Sequence, residues 1–153
     1  MTSYDVRPVG VVKSPLTDRS TAPKQGDEGA PPARVVFDPG FHPAAADLRP
    51  GDRLVLLTWF HEADRAVQAV HPRGDPDRPS TGVFSTRSPD RPNPIGLHTV
   101  TVTAAENGTL TVTGLEAIDG TPVLDVKPYL QEFAPRGDVR QPAWSHELMR
   151  GYW

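Results

Sequence analysis

A proline-rich run, Gly82–Leu97, restricts the possible fold of this chain more than any other segment. Proline fixes the backbone φ angle and has no N–H to donate, so Pro89, Pro92 and Pro94 exclude a helix or a central strand here. The sequence therefore predicts a rigid, extended loop flanked by apolar, strand-like segments. Long ordered loops of this kind are often functional.

Three polar side chains in the same run, Arg87, Arg91 and Asn93, point to ligand binding. A rigid backbone holds their donors in fixed directions before a ligand arrives, which lowers the ordering cost of binding. The alternative interpretation is a proline-rich connector with solvated arginines, because isolated surface arginines are common. The density of fixed geometry and polar donors favours a binding loop.

Length and charge predict one ordinary domain with a single core, because the chain has 153 residues and a net charge of −3. With 16 Lys and Arg against 19 Asp and Glu, any contact with RNA needs local clustering or a dimer. Cysteine is absent, which excludes disulfides and thiolate chemistry.

The five histidines show no metal-binding spacing, so no metal is expected. No leader sequence or membrane span is recognisable, and a cytoplasmic protein is expected.

The apolar pattern repeats mostly every second residue, which is typical of β-strands. Thr99–Thr103 alternates with valine inward, Leu54–Phe60 reads as a strand buried on both faces, and Asn107-Gly108 predicts a hairpin turn. Further strands are predicted at Val6–Val12, Arg34–Phe37, Leu110–Leu115 and Val123–Val126, with short helices at His42–Leu48 and Trp144–Met149. The chain is thus mainly β, a barrel or a sandwich, and lacks the strand–helix alternation of a dinucleotide-binding fold.

Two long motifs resemble those of the TsaA-like (TrmO) family. The run Gly82–Leu97 is similar to the family signature, and Asp119–Tyr129 is similar to a second family motif that follows in the expected order. Weaker matches occur at Pro8–Gly10 with Ser14-Pro15, at Ala22–Gln25 and at Trp59–Glu62. The resemblance extends over roughly residues 5–130.

The resemblance implies a small single-domain β-barrel, usually a homodimer, that binds S-adenosylmethionine partly through the partner subunit. The barrel domain is expected over residues 1–135, and residues 136–153 form a C-terminal tail. Packing of Trp144 and Trp153 against the barrel or the dimer partner is expected for this tail, and stacking of its aromatic residues on a nucleic-acid base is the alternative.

The cofactor contacts implied by the resemblance match the chemistry of S-adenosylmethionine, which presents a carboxylate, an ammonium, ribose hydroxyls and an adenine ring. Arg87 can clamp a carboxylate, Asp119 can receive the ammonium, and Gln25 can both donate and accept. The implied cofactor-binding residues are Pro23, Lys24, Gln25, His61, Glu62, Arg87, Leu97, Asp119, Gly120 and Thr121. Taken alone, Asp119-Gly120 also reads as a type I′ turn, and His61 as a half-buried histidine at a strand end.

The acceptor implied by the resemblance is the threonylcarbamoyl-adenosine beside the anticodon of tRNA, methylated on nitrogen. An amide-type N–H is a poor nucleophile and needs a base or strong polarisation. The catalytic candidates are His61, Asp125 and Tyr129, and Arg91, Asn93 and Lys127 are expected to bind the acceptor. Two alternatives stay open: a methyltransferase of the same fold that acts on a small metabolite, and a non-catalytic barrel that binds an adenosyl ligand or a protein partner.

Overall fold

Short strands separated by loops dominate the chain, as its period-two pattern predicts. The computed structural model describes residues 1–150. Within them the strands are β1 (Gly10–Lys13), β2 (Ala33–Phe37), β3 (Arg53–Trp59), β4 (Ala69–Val70), β5 (Thr81–Gly82), β6 (Ile95–Glu106), β7 (Thr109–Thr113) and β8 (Pro122–Pro128). The α-helix α1 spans Ala143–Met149, and short 3-10 helices span Pro39–Ala45, Pro72–Gly74, Val83–Ser85 and Gln131–Phe133.

Six of these strands close into an antiparallel barrel in the order β1-β2-β7-β6-β3-β8, which confirms the predicted barrel. Alternate side chains point inward, so Val100 and Val102 of β6 are buried while Thr99 and Thr103 are exposed. Valine and leucine side chains from all six strands form the core. Each fully buried aliphatic side chain contributes about 1.5–3 kcal/mol to folding.

The predicted hairpin turn joins β6 to β7. Asn107 and Gly108 have φ angles of 50° and 73°, and the turn holds Glu106 opposite Thr109. Positive φ at both central residues is the property of a type I′ turn, and Asn-Gly tolerates it best. The local sequence therefore determines this connection.

Three local predictions are corrected. Strand β3 is buried mainly on one face, because its outer side chains Val55, Leu57 and Trp59 are only half-buried. A barrel has one filled interior, so an apolar run need not be covered on both sides. The first strand begins at Gly10 rather than at residue 6. The helix predicted at His42–Leu48 is a 3-10 helix, Pro39–Ala45, with Pro43 inside it lacking an N–H.

The chain divides into two compact units. The first unit comprises Met1–Glu62 and Ile95–Tyr129 and holds the whole barrel. The second comprises Ala63–Pro94 and the chain from Leu130 onward, with the β4–β5 ribbon and α1. The expected division at residue 135 stays a prediction, and Trp153 of the expected tail lies outside the described residues. None of the helices in residues 1–150 has the length and apolarity to cross a membrane.

Candidate functional site

The strand registers bring several loops to one end of the barrel. Trp59 at the end of β3 pairs with Ile95 at the start of β6, and Thr58 pairs with Val123 near the start of β8. The β1–β2 and β7–β8 connections open at this same end, because Val11 pairs with Pro122 and Ala33 with Val112. The end therefore carries Pro23, Lys24, Gln25, His61, Glu62, Leu97, Asp119, Gly120 and Thr121.

The motif at Asp119 forms a tight turn that is anchored on β1 and the residues after it. Asp119 donates its N–H to the carbonyl oxygen of Leu16 at 2.6 Å, and Gly120 donates to that of Val12 at 2.8 Å. The Asp119 carboxylate accepts the backbone N–H of Ser14 at 3.0 Å. Only Gly120 has a positive φ, 82°, so the turn is of type II rather than the type I′ turn considered from the sequence.

Thr121 closes this turn from inside the barrel. Its side chain is fully buried, and its hydroxyl donates to the carbonyl oxygen of Ile118 at 2.7 Å. A buried hydroxyl that already donates to the backbone is a structural element of the turn. Ligand contacts from this residue would therefore come from its backbone, while Asp119 beside it is exposed.

The loop between β1 and β2 is also held by specific contacts. Glu28 accepts the backbone N–H groups of Lys24 and Gln25 at 3.0 and 3.2 Å, which leaves both side chains available for other partners. Arg19 donates from Nη1 to the carbonyl oxygen of Glu62 at 2.8 Å. These bonds tie the Lys24–Gln25 segment into a defined turn and link its loop to the chain that leaves β3.

A polar triad that the sequence pattern did not indicate joins β3, β6 and the β7–β8 connection; Thr58 and His98 are buried in it and Glu116 is partly exposed. His98 Nε2 is 2.7 Å from the Thr58 hydroxyl, and His98 Nδ1 is 2.7 Å from the Glu116 carboxylate. Phe60 packs edge-on against the imidazole with the ring centres 5.7 Å apart. The available sequence signal was a histidine at an inward position of an alternating strand.

The catalytic candidates are not gathered at this end. His61 follows β3 at the loop end, whereas Tyr129 follows β8 at the opposite end, where Pro128 pairs with Leu54. The seven residues of β3 separate the two ends by about 20 Å at ~3.3 Å per residue. Asp125 lies on the outer surface of β8 and pairs with Lys127, 2.9 Å away. Within one chain, His61 is thus the catalytic candidate beside the expected cofactor contacts.

In the second unit, the proline-rich loop is fixed by its own arginine. Arg91 donates from Nη2 to the carbonyl oxygens of Val83 and Thr86. Asn93 accepts a hydrogen bond from Arg65 at 3.3 Å. Arg87 is exposed, and within the described residues its guanidinium has no hydrogen bond or ion pair. Arg91 and Asn93 therefore form hydrogen bonds within this part of the chain, whereas Arg87 is exposed, and the rigidity of the loop stays a prediction.

A cleft of about 420 Å³ lies beside the Asp119 turn. Two cations line it, Lys13 of β1 and Arg34 of β2, and these are directly opposite one another in the strand register. Like charges at opposed positions repel each other. Asp119 also lines the cleft and its carboxylate offsets part of this positive charge, and an anionic group bound near Lys13 and Arg34 would offset more of it. No three His, Asp or Glu side chains of residues 1–150 gather in a metal-binding arrangement.

A closed six-stranded barrel whose anchored loops meet at one end defines a small β-barrel protein. Comparison with known proteins gives its family. The family model described as the tRNA-methyltransferase O N-terminal domain matches residues 11–134. The chain belongs to this TrmO family.

Relatives and solved structures agree with that assignment. A protein of Methanothermobacter thermautotrophicus named a probable S-adenosyl-L-methionine-binding protein is 42% identical over 86% of this chain and 94% of its own length. An Archaeoglobus fulgidus protein named an S-adenosyl-L-methionine-binding protein is 40% identical over 83% of this chain and 90% of its own length. The crystal structure of TrmO from Pseudomonas aeruginosa superposes with a TM-score of 0.74 at 30% identity. It covers 92% of this chain, which spans only 62% of that protein.

Proposed function

We propose that this protein is an S-adenosylmethionine-dependent methyltransferase that acts on tRNA. The observation that carries the proposal is the gathering of Lys24–Gln25, His61–Glu62, Leu97 and Asp119–Thr121 at one end of the barrel. The names of the relatives support the cofactor, and the family description supports methyl transfer to tRNA. The chain spans 62% of the solved TrmO. Methyl transfer to tRNA by this chain is therefore a proposal.

The residues present fit the groups that S-adenosylmethionine exposes. Exposed Asp119 and Glu62 suit the ammonium and the ribose hydroxyls, and Gln25 suits the adenine edge because its amide both donates and accepts. Leu97 is 51% exposed, which offers an apolar surface to the adenine ring or the methionine chain. The Lys24 ammonium can form an ion pair with the carboxylate of the cofactor. Arg87, in the second unit, stays a proposed cofactor contact because a guanidinium can pair with a carboxylate.

S-adenosylmethionine supplies a methyl group on a positively charged sulfur. The protein has to align the acceptor nitrogen with that methyl, and alignment alone can contribute about 7–11 kcal/mol to the rate. His61 is exposed at the loop end and is proposed to take the N–H proton of the acceptor as the methyl group leaves the sulfur and bonds to the acceptor nitrogen. Asp125 and Tyr129 remain candidates for polarising the acceptor, but they lie away from that end in the same chain.

An RNA acceptor is favoured over a neutral metabolite by local positive charge on an otherwise acidic chain. Lys13 and Arg34 line the cleft beside Asp119 and suit a backbone phosphate. Arg91, Asn93 and Lys127 stay proposed acceptor contacts, although each already has an intramolecular partner that the acceptor would have to replace or share. The cytoplasm is the proposed location, because tRNA is modified there.

A homodimer is proposed as the functional form. The outer face of β3 and β6 carries the apolar pairs Leu57–Leu97 and Trp59–Ile95, and Ile95 and Leu97 are 45% and 51% exposed. Adjacent exposed apolar side chains on a flat strand pair suit association with a second copy. If the cofactor site is completed by the partner, activity falls more steeply than enzyme concentration on dilution.

The test is calorimetric titration with S-adenosylmethionine of the wild type and of Asp119→Asn, Arg87→Ala and the control Arg53→Ala. Asn keeps an acceptor for the Ser14 N–H but removes the charge, and Arg53 is exposed at the opposite end of the barrel. Micromolar binding is expected, weakened about tenfold or more in the first two variants and unchanged in the control. Absence of wild-type binding at millimolar cofactor contradicts the cofactor assignment.

The acceptor is tested next by transfer of a labelled methyl group to tRNA and to metabolite pools. Label in tRNA, reduced at higher salt and in Lys13→Gln or Arg34→Gln, is the expected result. Label in a metabolite with tRNA untouched selects the metabolite methyltransferase. Tight cofactor binding with no transfer to either pool selects the non-catalytic barrel.

A further inference from the structure

We propose that the buried triad Thr58–His98–Glu116 is a brace that sets the positions of the cofactor-binding loops. This inference rests on the proposed function for the identity of the ligand. The exposed fractions of Thr58 and His98 are 0% and 2%. Both His98 ring nitrogens have a hydrogen-bond partner at 2.7 Å. Hydrogen bonds in such surroundings are strong when complete and costly when one partner is removed.

Each member of the triad belongs to a different loop-bearing segment. Thr58 lies three residues before His61 at the end of β3, and His98 is the residue next to Leu97 in β6. Glu116 lies in the β7–β8 connection, three residues before Asp119. Two hydrogen bonds therefore join three of the segments that carry the proposed cofactor contacts.

The hydrogen bonds also assign the proton on the imidazole. A carboxylate only accepts, so His98 Nδ1 carries the proton and donates it to Glu116. Nε2 lies 2.7 Å from the Thr58 hydroxyl, and in the neutral tautomer with the proton on Nδ1 it accepts the hydroxyl proton of Thr58. Glu116 thereby determines that Nδ1 keeps its proton.

Neighbouring residues show that the space around the brace is full. A Cβ on Gly96 would overlap the Thr58 hydroxyl and would lie 2.6 Å from His98 Nε2 and 2.7 Å from Phe60. Phe60 packs edge-on against the imidazole and immediately precedes His61. A shift of the imidazole therefore moves the chain on which His61 and Glu62 are carried.

The fourth segment is attached to the same connection. Gly26, which follows Gln25, packs so closely on Gly114 that a Cβ would overlap the Gly114 carbonyl group. Gly114 begins the connection that also contains Glu116 and Asp119. The triad and the Gly26–Gly114 contact together connect the four segments that carry the proposed cofactor contacts of the barrel unit.

The experiment compares Thr58→Val, which removes the hydroxyl at nearly constant shape, with Thr58→Ser, which restores it. The control is Val100→Ala, which creates a cavity in β6, the strand of His98, and leaves the three polar side chains of the triad in place. Thr58→Val is expected to weaken S-adenosylmethionine binding about fivefold or more, the value of one lost hydrogen bond. Thr58→Ser is expected to recover most of that loss, and Val100→Ala to bind normally although its melting temperature falls.

Two readouts do not depend on the cofactor. Nitrogen NMR of wild-type His98 is expected to show a protonated Nδ1 and an unprotonated Nε2, and Glu116→Gln to disturb that pattern. The Gly120 N–H donates to the carbonyl oxygen of Val12. Its hydrogen exchange with solvent is expected to be faster in Thr58→Val than in Val100→Ala. If the wild type does not bind the cofactor but these signatures appear, the proposed function fails and the brace stands.

The brace itself is overturned by either of two results. In the first, Thr58→Val binds the cofactor with wild-type affinity and its Gly120 amide exchanges as slowly as in the wild type. The triad then has no positioning role. In the second, Thr58→Val and Val100→Ala have equal melting temperatures and lose cofactor affinity equally. The triad then contributes only to the stability of the core. A doubly protonated ring at neutral pH overturns the assigned tautomer.

Discussion

Gly26 and Gly114 lie backbone against backbone, so closely that a Cβ on Gly26 would overlap the carbonyl oxygen of Gly114. The contact fixes the β1–β2 loop, with Pro23–Gln25 in it, to the connection that contains Asp119. Two stretches that are about 90 residues apart in the sequence meet here because Gly26 has no side chain.

Gly26→Ala is therefore expected to destabilise the protein by about 1–3 kcal/mol, since the overlap is with backbone that cannot rotate away. Urea denaturation measures the change. Gly40→Ala is the control, because a Cβ there meets nothing within 4 Å, and its effect should stay within about 0.5 kcal/mol. Equal stability of Gly26→Ala and the wild type would show that the loop can move away from Gly114.

Gly96→Ala is expected to be more damaging than Gly82→Ala, although both glycines belong to the same proline-rich run. A Cβ on Gly96 meets His98 Nε2 at 2.6 Å and Phe60 at 2.7 Å, whereas one on Gly82 meets nothing within 4 Å. We expect a loss of about 1–3 kcal/mol for Gly96→Ala from overpacking. Thermal melts of the two variants side by side test it, and equal melting temperatures would contradict the packing argument.

Arg91→Ala is expected to loosen the proline-rich loop, because Arg91 donates to the carbonyl oxygens of Val83 and Thr86. The loss of a hydrogen bond from a charged donor destabilises the loop by about 1.5–3 kcal/mol. Limited proteolysis within residues 83–91 measures the opening. Arg87→Ala, on the same loop with an exposed guanidinium, should be cleaved as slowly as the wild type.

Asp18 supports the β1–β2 loop in a pH-dependent way. Hydrogen bonds from the Ser20 side chain and then from its backbone N–H lower the pKa of the Asp18 carboxyl. A carboxyl with a depressed folded-state pKa stabilises the fold above its unfolded pKa and loses that contribution as pH falls through the folded value.

Ser20→Ala removes the larger cause and is expected to raise the pKa of Asp18 toward its ordinary value, as measured by NMR titration. Thr21→Ala is the matched control, because the Thr21 hydroxyl binds the Asp18 backbone carbonyl rather than its carboxylate. Equal titration of Asp18 in the two variants would mean that Ser20 does not set the pKa.

The sequence by itself determined the parts of the fold that depend on neighbouring residues. Alternation in Thr99–Thr103 and the Asn107-Gly108 turn gave a hairpin because strand period and positive φ are local properties. The two long motifs also indicated the family. The alanine-rich pattern predicted a helix but not its 3-10 form over Pro39–Ala45. The reason is that Pro43, inside this helix, has no N–H to donate.

Tertiary structure alone decided which of the candidate residues are together. Barrel closure and register put Asp119 and His61 at one end and Tyr129 at the other, and no local pattern specifies which strands become neighbours. It also made His98 part of a buried triad with Thr58 and Glu116, residues that lie 40 and 18 positions away in sequence. Such contacts form only when the core packs, because the burial that makes their hydrogen bonds strong does not exist in the unfolded chain.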